Sequence, residues 1–129
     1  MKLVLDSHTL LWTLYEPRRL PAGVAAAIAD SLNQLYVSHV SVLELTDKAA
    51  KFRLPSAGFS VDRIVERILG LGVTMVPIEL ADIAASVKLP RHHDDPFDRL
   101  LIAQAQARNL VLVSKDAEIA KYDVMVLWK

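Results

Sequence analysis

The sequence contains no cysteine, which excludes disulfides, thiolate chemistry and any cysteine-ligated zinc or iron–sulfur site. Glycine is scarce, 4 in 129 residues, while 53% of residues are hydrophobic. That balance supports a compact globular fold without a long linker. Neither sign of charge is in excess: 15 lysines and arginines match 15 aspartates and glutamates, so no net field advertises a polyanionic partner. A local basic rim around an acidic, metal-filled site is compatible with that balance. No apolar run approaches the ~20 residues needed to span a bilayer. The first residues, MKLVLDSHTLLW, carry one lysine and an apolar stretch, but Asp6 and His8 interrupt it. No small-residue cleavage site follows, so a signal peptide is not expected and a cytoplasmic protein is. The length suits a single domain over 1–129 with a real core. No internal repeat or low-complexity segment is present.

What is there alternates between strand and helix patterns. Lys2–Leu5 is an apolar run, and after Asp6 the spacing of Leu10, Leu11 and Leu14 predicts a helix that Glu16 and Pro17 end. A second helix follows Pro21 through Val24, Ala25, Ile28, Ala29 and Leu32, and Gln34–Ser38 is a short strand. Ser38 or Ser41 caps a third helix in which Val42, Leu45, Ala49 and Phe52 recur. A loop over 54–58 leads to a helix over Val61–Leu69 that closes at Gly70 or Gly72. A strand over 73–76, a short helix over 79–87, a helix over 96–108 and an apolar strand over 110–113 come next. Ser114 to Asp116 starts a last short helix, and 124–127 is a final strand. This alternation points to an α/β domain with a mostly parallel sheet. The strands before Asp6 and Ser114 are the most uniformly apolar, hence the expected central pair. Sites in such sheets form beyond the carboxyl ends of strands where the strand order reverses.

The stretch 92–106, HHDDPFDRLLIAQAQ, joins an acidic turn to an apolar helix. Asp95 suits the N-cap and Pro96 the first helical position, where its missing amide has no partner to lose. Asp98 then falls in the first turn, where the helix dipole favours a charged carboxylate. The run from Leu100 to Ala103 predicts burial on most sides.

Four carboxylates stand out: Asp6, Glu44, Asp98 and Asp116. Each has a purely structural alternative. Asp6, Asp98 and Asp116 suit helix starts, worth about 1 kcal/mol apiece. Glu44 precedes Lys48 by four residues, an intrahelical pair worth ~0.2–0.5 kcal/mol. Position changes the weighting. Two acids follow the expected central strands, and two sit near the starts of helices that pack beside them, so all four converge at one end of the sheet. Clustered carboxylates repel at pH 7 unless a cation sits among them. An oxygen-only set without cysteine suits Mg²⁺ or Mn²⁺. Such a metal holds phosphate oxygens and activates a bound water.

The segments VLDSHTLLW, SHVSVLEL, HHDDPFDRLLIAQA and VLVSKD resemble, in order and over essentially the whole chain, the four acidic motifs of the PIN-domain family. Within it the resemblance is to VapC-type toxins of bacterial toxin–antitoxin pairs. The resemblance implies a PIN-like three-layer fold with a five-stranded, mostly parallel sheet flanked by helices. It also implies Mg²⁺- or Mn²⁺-dependent endoribonuclease activity on RNA, a small cognate antitoxin as partner, and a homodimer. By position, Asp6, Glu44 and Asp98 match the three acids of the family's metal site and Asp116 its more variable fourth. Ser7 and Ser114 stand where the family often has threonine. Leu43 replaces a common tryptophan, and Thr46 and Asp47 occupy a usually apolar stretch. On this reading Asp6 and Asp98 bind metal directly, Glu44 binds it or holds its water, and Asp116 binds a second metal or orients the first shell. Ser7 and Ser114 support the site, and Lys48 and Arg99, with Lys51, Arg53 and Arg91, are candidates for a phosphate-binding rim.

Other residues carry weaker signals. Adjacent His92 and His93 lack the i,i+4 spacing of helical zinc sites. His8 is a substrate contact or, more simply, a buried hydrogen-bonded histidine, while Trp12, Trp128 and Phe97 read as core. Two competing functions fit parts of the pattern. A phospho-receiver signalling domain is also five-stranded with a magnesium pocket, but it wants an acidic pair after the first strand and a phosphoacceptor aspartate after the third. Here Asp6 stands alone and the strand over 73–76 ends at Pro77. A non-catalytic PIN-like binding module would have little reason to keep all four acids.

Overall fold

The computed structural model describes residues 1–52 and 60–129. The predicted loop over 54–58, Arg53 and the side chain of Phe52 lie outside the described residues. In chain order the elements are β1 (Lys2–Leu5), α1 (Ser7–Tyr15), a 3₁₀ turn (Pro17–Arg19), α2 (Ala22–Ala29), β2 (Gln34–Ser38) and α3 (His39–Phe52). They continue with α4 (Val61–Leu69), β3 (Thr74–Val76), α5 (Leu80–Lys88), α6 (Pro96–Arg108), β4 (Val111–Val113), a 3₁₀ turn (Ile119–Lys121) and β5 (Val126–Leu127).

The five strands pair in parallel in the order β3-β2-β1-β4-β5. β1 is central because it is apolar on both faces. Leu3 and Leu5 pack with Leu10 of α1, Val24 of α2, Leu45 of α3 and Ile64 of α4. Val4 packs on the opposite side with Leu101, Ile102 and Ala105 of α6. That two-residue alternation, buried twice over, makes three layers of helix, sheet and helix. The chain runs outward from β1 through β2 and β3, then returns to place β4 on the other side of β1. The reversal point therefore lies between β1 and β4, beyond Asp6 and Ser114. A receiver domain has the order 2-1-3-4-5, so the topology removes that competitor.

Side-chain caps set several boundaries. Asp95 accepts the amides of Phe97 at 2.9 Å and Asp98 at 3.1 Å, Pro96 follows, and the left-handed Asn109 (φ 53°) ends α6. Ser60 caps α4 by accepting the Arg63 amide. Two expectations needed correction. α2 stops at Ala29, because Asp30 accepts the Leu32 amide at 2.9 Å and turns the chain. No helix starts at Ser114, because Ser114 Oγ and Asp116 Oδ1 accept the amides of Asp116 (3.1 Å) and Glu118 (2.9 Å), two residues on in each case. These successive side-chain turns replace the first turn of a helix, and only the 3₁₀ turn Ile119–Lys121 follows.

Candidate metal-dependent active site

The site is assembled where β1 and β4 end. The Asp6 amide and the Thr9 hydroxyl both donate to Val113 O, at 3.2 and 2.9 Å, locking the β1–α1 turn onto the end of β4. Ser41 Oγ donates to Leu5 O at 3.2 Å and ties the start of α3 to the same place. α6 enters alongside with its N-terminus. Between these elements lies a cleft of about 340 Å³ whose walls include Asp6, Glu44, Asp98 and Asp116. A larger depression of about 550 Å³ lies at the far end of α6, where Asp123 is its one carboxylate, and gathers no comparable chemistry.

All four predicted acids meet, but not equally. Ligating atoms of Glu44, Asp95 and Asp98 lie within 4.8 Å of one another, and so do those of His93, Asp98 and Asp116. Asp98 belongs to both trios. Among the described residues Asp6 belongs to neither; its Oδ1 is engaged with the Thr9 amide at 2.8 Å, so its role as N-cap of α1 is realised together with its place in the cleft. Asp116 likewise caps the turn at Glu118 while lining the cleft. Glu44 accepts a short hydrogen bond from Ser7 Oγ, and the pair with Lys48 exists at 3.8 Å. Asp95, read from sequence only as a cap, is also a wall of the site.

Asp98 carries the strongest electrostatic signal. Burial raises its pKa most, the Asp95 carboxylate adds to this, a hydrogen bond from His93 opposes it, and Glu44 and Asp116 raise it further, from the ordinary 3.8 to about 7. The helix start alone therefore does not hold Asp98 in the ordinary carboxylate range: desolvation and three carboxylate neighbours outweigh the dipole. This geometry fits a divalent cation. Glu44, Asp95 and Asp116 converge on Asp98, a carboxylate whose charge these neighbours and its burial disfavour, and a doubly positive ion removes that penalty.

The supporting residues divide. Ser7, His8 and Lys48 line the cleft. Lys115, which the sequence did not single out, lines it too, with its Nζ 4.9 Å from the Trp12 ring centre. Ser114 is buried and binds the Asp116 amide, so it shapes the turn that carries that acid. Arg99 corrects the expectation of a phosphate-binding rim. Its guanidinium is buried, donating to the carbonyls of Pro90 (2.8 Å), Ser86 (2.9 Å) and Leu89 (3.0 Å) and to the Tyr122 hydroxyl (3.2 Å). Lys51 and Arg91 make exposed pairs with Asp47 and Asp94.

His8 packs edge-on against Trp12 at 4.6 Å, and burial, then Lys115, lowers its pKa below 6.5. Trp12 is core and Trp128 packs against it; Phe97 is half-buried and outside both core clusters. No zinc pair forms from His92 and His93. His92 stacks edge-on to Tyr122 at 4.7 Å, whereas the two ring nitrogens of His93 meet Tyr122 Oη at 2.9 Å and Asp98 Oδ2 at 3.1 Å. The sequence signal for His93 was its place five residues before Asp98; the Tyr122 partner, 29 residues away, left none.

Comparison with known proteins agrees with this architecture. Ribonuclease VapC22 of Mycobacterium tuberculosis is 30% identical over 125 residues, covering 93% of this chain and 91% of that protein. In three dimensions, a chain of VapBC2 from Rickettsia felis bound to a promoter DNA fragment superposes with TM-score 0.71 at 13% identity over 100% of both chains. A chain of a toxin–antitoxin complex from Klebsiella pneumoniae superposes with TM-score 0.65 at 16% identity over 97% of this chain and 95% of that one. At those identities the likeness is one of fold. The PIN domain model matches residues 3–125, and with this coverage the chain belongs to the PIN domain family.

Proposed function

We propose that the chain is a metal-dependent endoribonuclease, the toxin of a type II toxin–antitoxin pair, which hydrolyses RNA phosphodiester bonds with Mg²⁺ or Mn²⁺ at the cleft between β1, α3, α6 and β4. The observation that carries this is the meeting of Asp6, Glu44, Asp98 and Asp116, from four distant segments, in one cleft where Asp98 lies within 4.8 Å of Glu44 and Asp95 and of Asp116. The relationship to a protein named as a ribonuclease supports the same reading.

Asp98, Glu44 and Asp95 would hold one cation, and Asp98 with Asp116 would contribute to a second position. A divalent ion bound there supplies a Lewis acid for phosphate oxygens and lowers the pKa of its water. The chain's own groups do the rest. Ser7 orients Glu44 through its hydrogen bond. Asp6, on the same cleft wall, would bind the cation directly, and Lys48 and Lys115 offer positive charge to phosphates at the rim. No side chain needs to act as a nucleophile, since water is the attacking group. The oxygen-rich set favours Mg²⁺ or Mn²⁺ over softer metals.

A homodimer and a small antitoxin complete the proposal. α5 leaves Leu80, Ile83 and Val87 exposed at 84%, 45% and 64%, a stripe at helical spacing that a protein partner would cover. The test is cleavage of a structured RNA by purified protein. Cleavage is expected with Mg²⁺ or Mn²⁺, absent in chelator, and reduced by ~10²-fold or more in Asp98→Asn and in Asp6→Asn. Metal-dependent cleavage that survives both substitutions would overturn the assignment.

A further inference from the structure

We propose that Tyr122, anchored by Arg99, fixes the tautomer of His93 and through it positions Asp98 for the cation; the inference rests on the metal reading of the cleft. Tyr122 and Arg99 are both buried, at 5% and 4% exposure. Arg99 only donates hydrogen bonds, and one of them, from Nη1, reaches Tyr122 Oη at 3.2 Å. The His93 backbone amide donates to the same oxygen at 3.3 Å. A phenol oxygen has two lone pairs and one proton, so these two donors occupy its accepting capacity. Its proton must then find an acceptor, and His93 Nδ1 at 2.9 Å is nearer than His93 O at 3.4 Å.

The hydrogen-bond count decides the ring. Nδ1 accepts and carries no proton, so the proton resides on Nε2, which faces Asp98 Oδ2 at 3.1 Å. A proton on Nδ1 would place three donors on one phenol oxygen. The chain Arg99 to Tyr122 to His93 therefore delivers a fixed N–H to one oxygen of Asp98 and leaves the other oxygen for metal. Imidazole and carboxylate partners of this kind orient ligands and tune their basicity. His93 and Tyr122 are thus positioning residues, and Arg99, buried away from the rim, anchors them.

The experiment uses the full chain, ¹⁵N-labelled and free of metal, with long-range ¹H–¹⁵N spectra of the imidazoles followed by Mn²⁺ titration calorimetry. His93 is expected to show a protonated Nε2 and a bare Nδ1. In Tyr122→Phe, which keeps the ring in the core, the pattern should become a tautomer mixture and Mn²⁺ affinity should fall by about 10- to 100-fold. His93→Leu should lose as much, whereas His93→Gln, which can still offer an N–H to Asp98, should bind within a few-fold of wild type. A protonated Nδ1 in wild type, or unchanged Mn²⁺ affinity in both Tyr122→Phe and His93→Leu, would overturn the inference while leaving the metal site intact. Absence of Mn²⁺ binding to wild type would instead overturn the metal reading, and the metal-free spectra would still decide the tautomer.

Discussion

Asp98 is a first-turn helix residue whose surroundings work against its charge, and that conflict has a measurable sign. Its pKa in the folded, metal-free protein is raised from 3.8 to about 7, so between those values the folded state holds a proton that the unfolded chain has lost. The associated stability is complete below pH ~4 and is lost as pH rises through about 7. His8 acts with the opposite sign, its lowered pKa making the folded state less stable as pH falls below 6.5. The difference between wild type and Asp98→Asn therefore isolates the carboxylate. Metal-free wild type should lose melting temperature between pH 5 and pH ~7.5, and Asp98→Asn should flatten that slope, as thermal melts across the range would reveal. Proton and cation compete for the same oxygens, so Mn²⁺ affinity should climb over the same interval and level off above it. Legibility at this scale was uneven. Asp6, Glu44, Asp98 and Asp116 were recognisable because they stand at strand ends and helix starts and in segments that resemble the four acidic motifs of the family. The second role of Asp95 and the inward turn of Arg99 were not, because a cap looks the same whether or not its carboxylate also faces a cleft, and an arginine beside a site reads as a rim until its partners are seen.

Between elements, α5 and α6 are held by a polar network that the apolar pattern does not announce. Asp82 is 4% exposed and accepts from Arg108 Nη1 and Nη2 at 2.9 and 3.0 Å and from Gln104 at 3.1 Å, while also accepting the Glu79 amide at 3.0 Å. Gln104 in turn accepts from Ser38, at the end of β2. Removing one partner leaves buried donors unpaired, which costs more than the pair contributes. Asp82→Ala should lower the unfolding free energy by roughly 2–3 kcal/mol by denaturant titration, a figure discounted for the partial exposure of Arg108. Because Asp82 has its pKa lowered below 3.8, its contribution holds at neutral pH and is lost on acidification. The substitution should spare Mn²⁺ binding at temperatures where the protein stays folded, since Asp82 lies outside the cleft. Sequence reading located α6 almost to the residue through Asp95, Pro96 and Asn109, and α5, expected over 79–87, to within one residue. It missed the link between them because Asp82, Gln104 and Arg108 look like the solvated face of a helix until the two helices are packed.

Across the whole molecule, metal binding and partner binding should both appear as stability. A cation that binds only the folded state adds about 2.7 kcal/mol at a hundredfold excess over its dissociation constant. Saturating Mn²⁺ should accordingly raise the melting temperature by several degrees at pH 7.5, and the gain should shrink in Asp98→Asn. The apolar stripe on α5 predicts self-association, so light scattering should find a dimer in wild type that Ile83→Asp weakens without changing the isolated protein's Mn²⁺ affinity. Among the described residues no helix is long and apolar enough to cross a membrane, in keeping with the absence of such a run in the sequence.

The sequence by itself determined most of the elements and the family: caps, proline placement and hydrophobic period act within a few residues, and the acidic motifs are contiguous strings. Strand order decided the rest. By setting β4 beside β1, the tertiary structure brought Asp6 and Asp116, 110 positions apart, to one cleft. It made Asp98 the carboxylate common to both clusters of potential donors and turned Arg99 inward to Tyr122. Those outcomes depend on distances of a few ångströms between distant segments, and on desolvation that exists only once the core has closed.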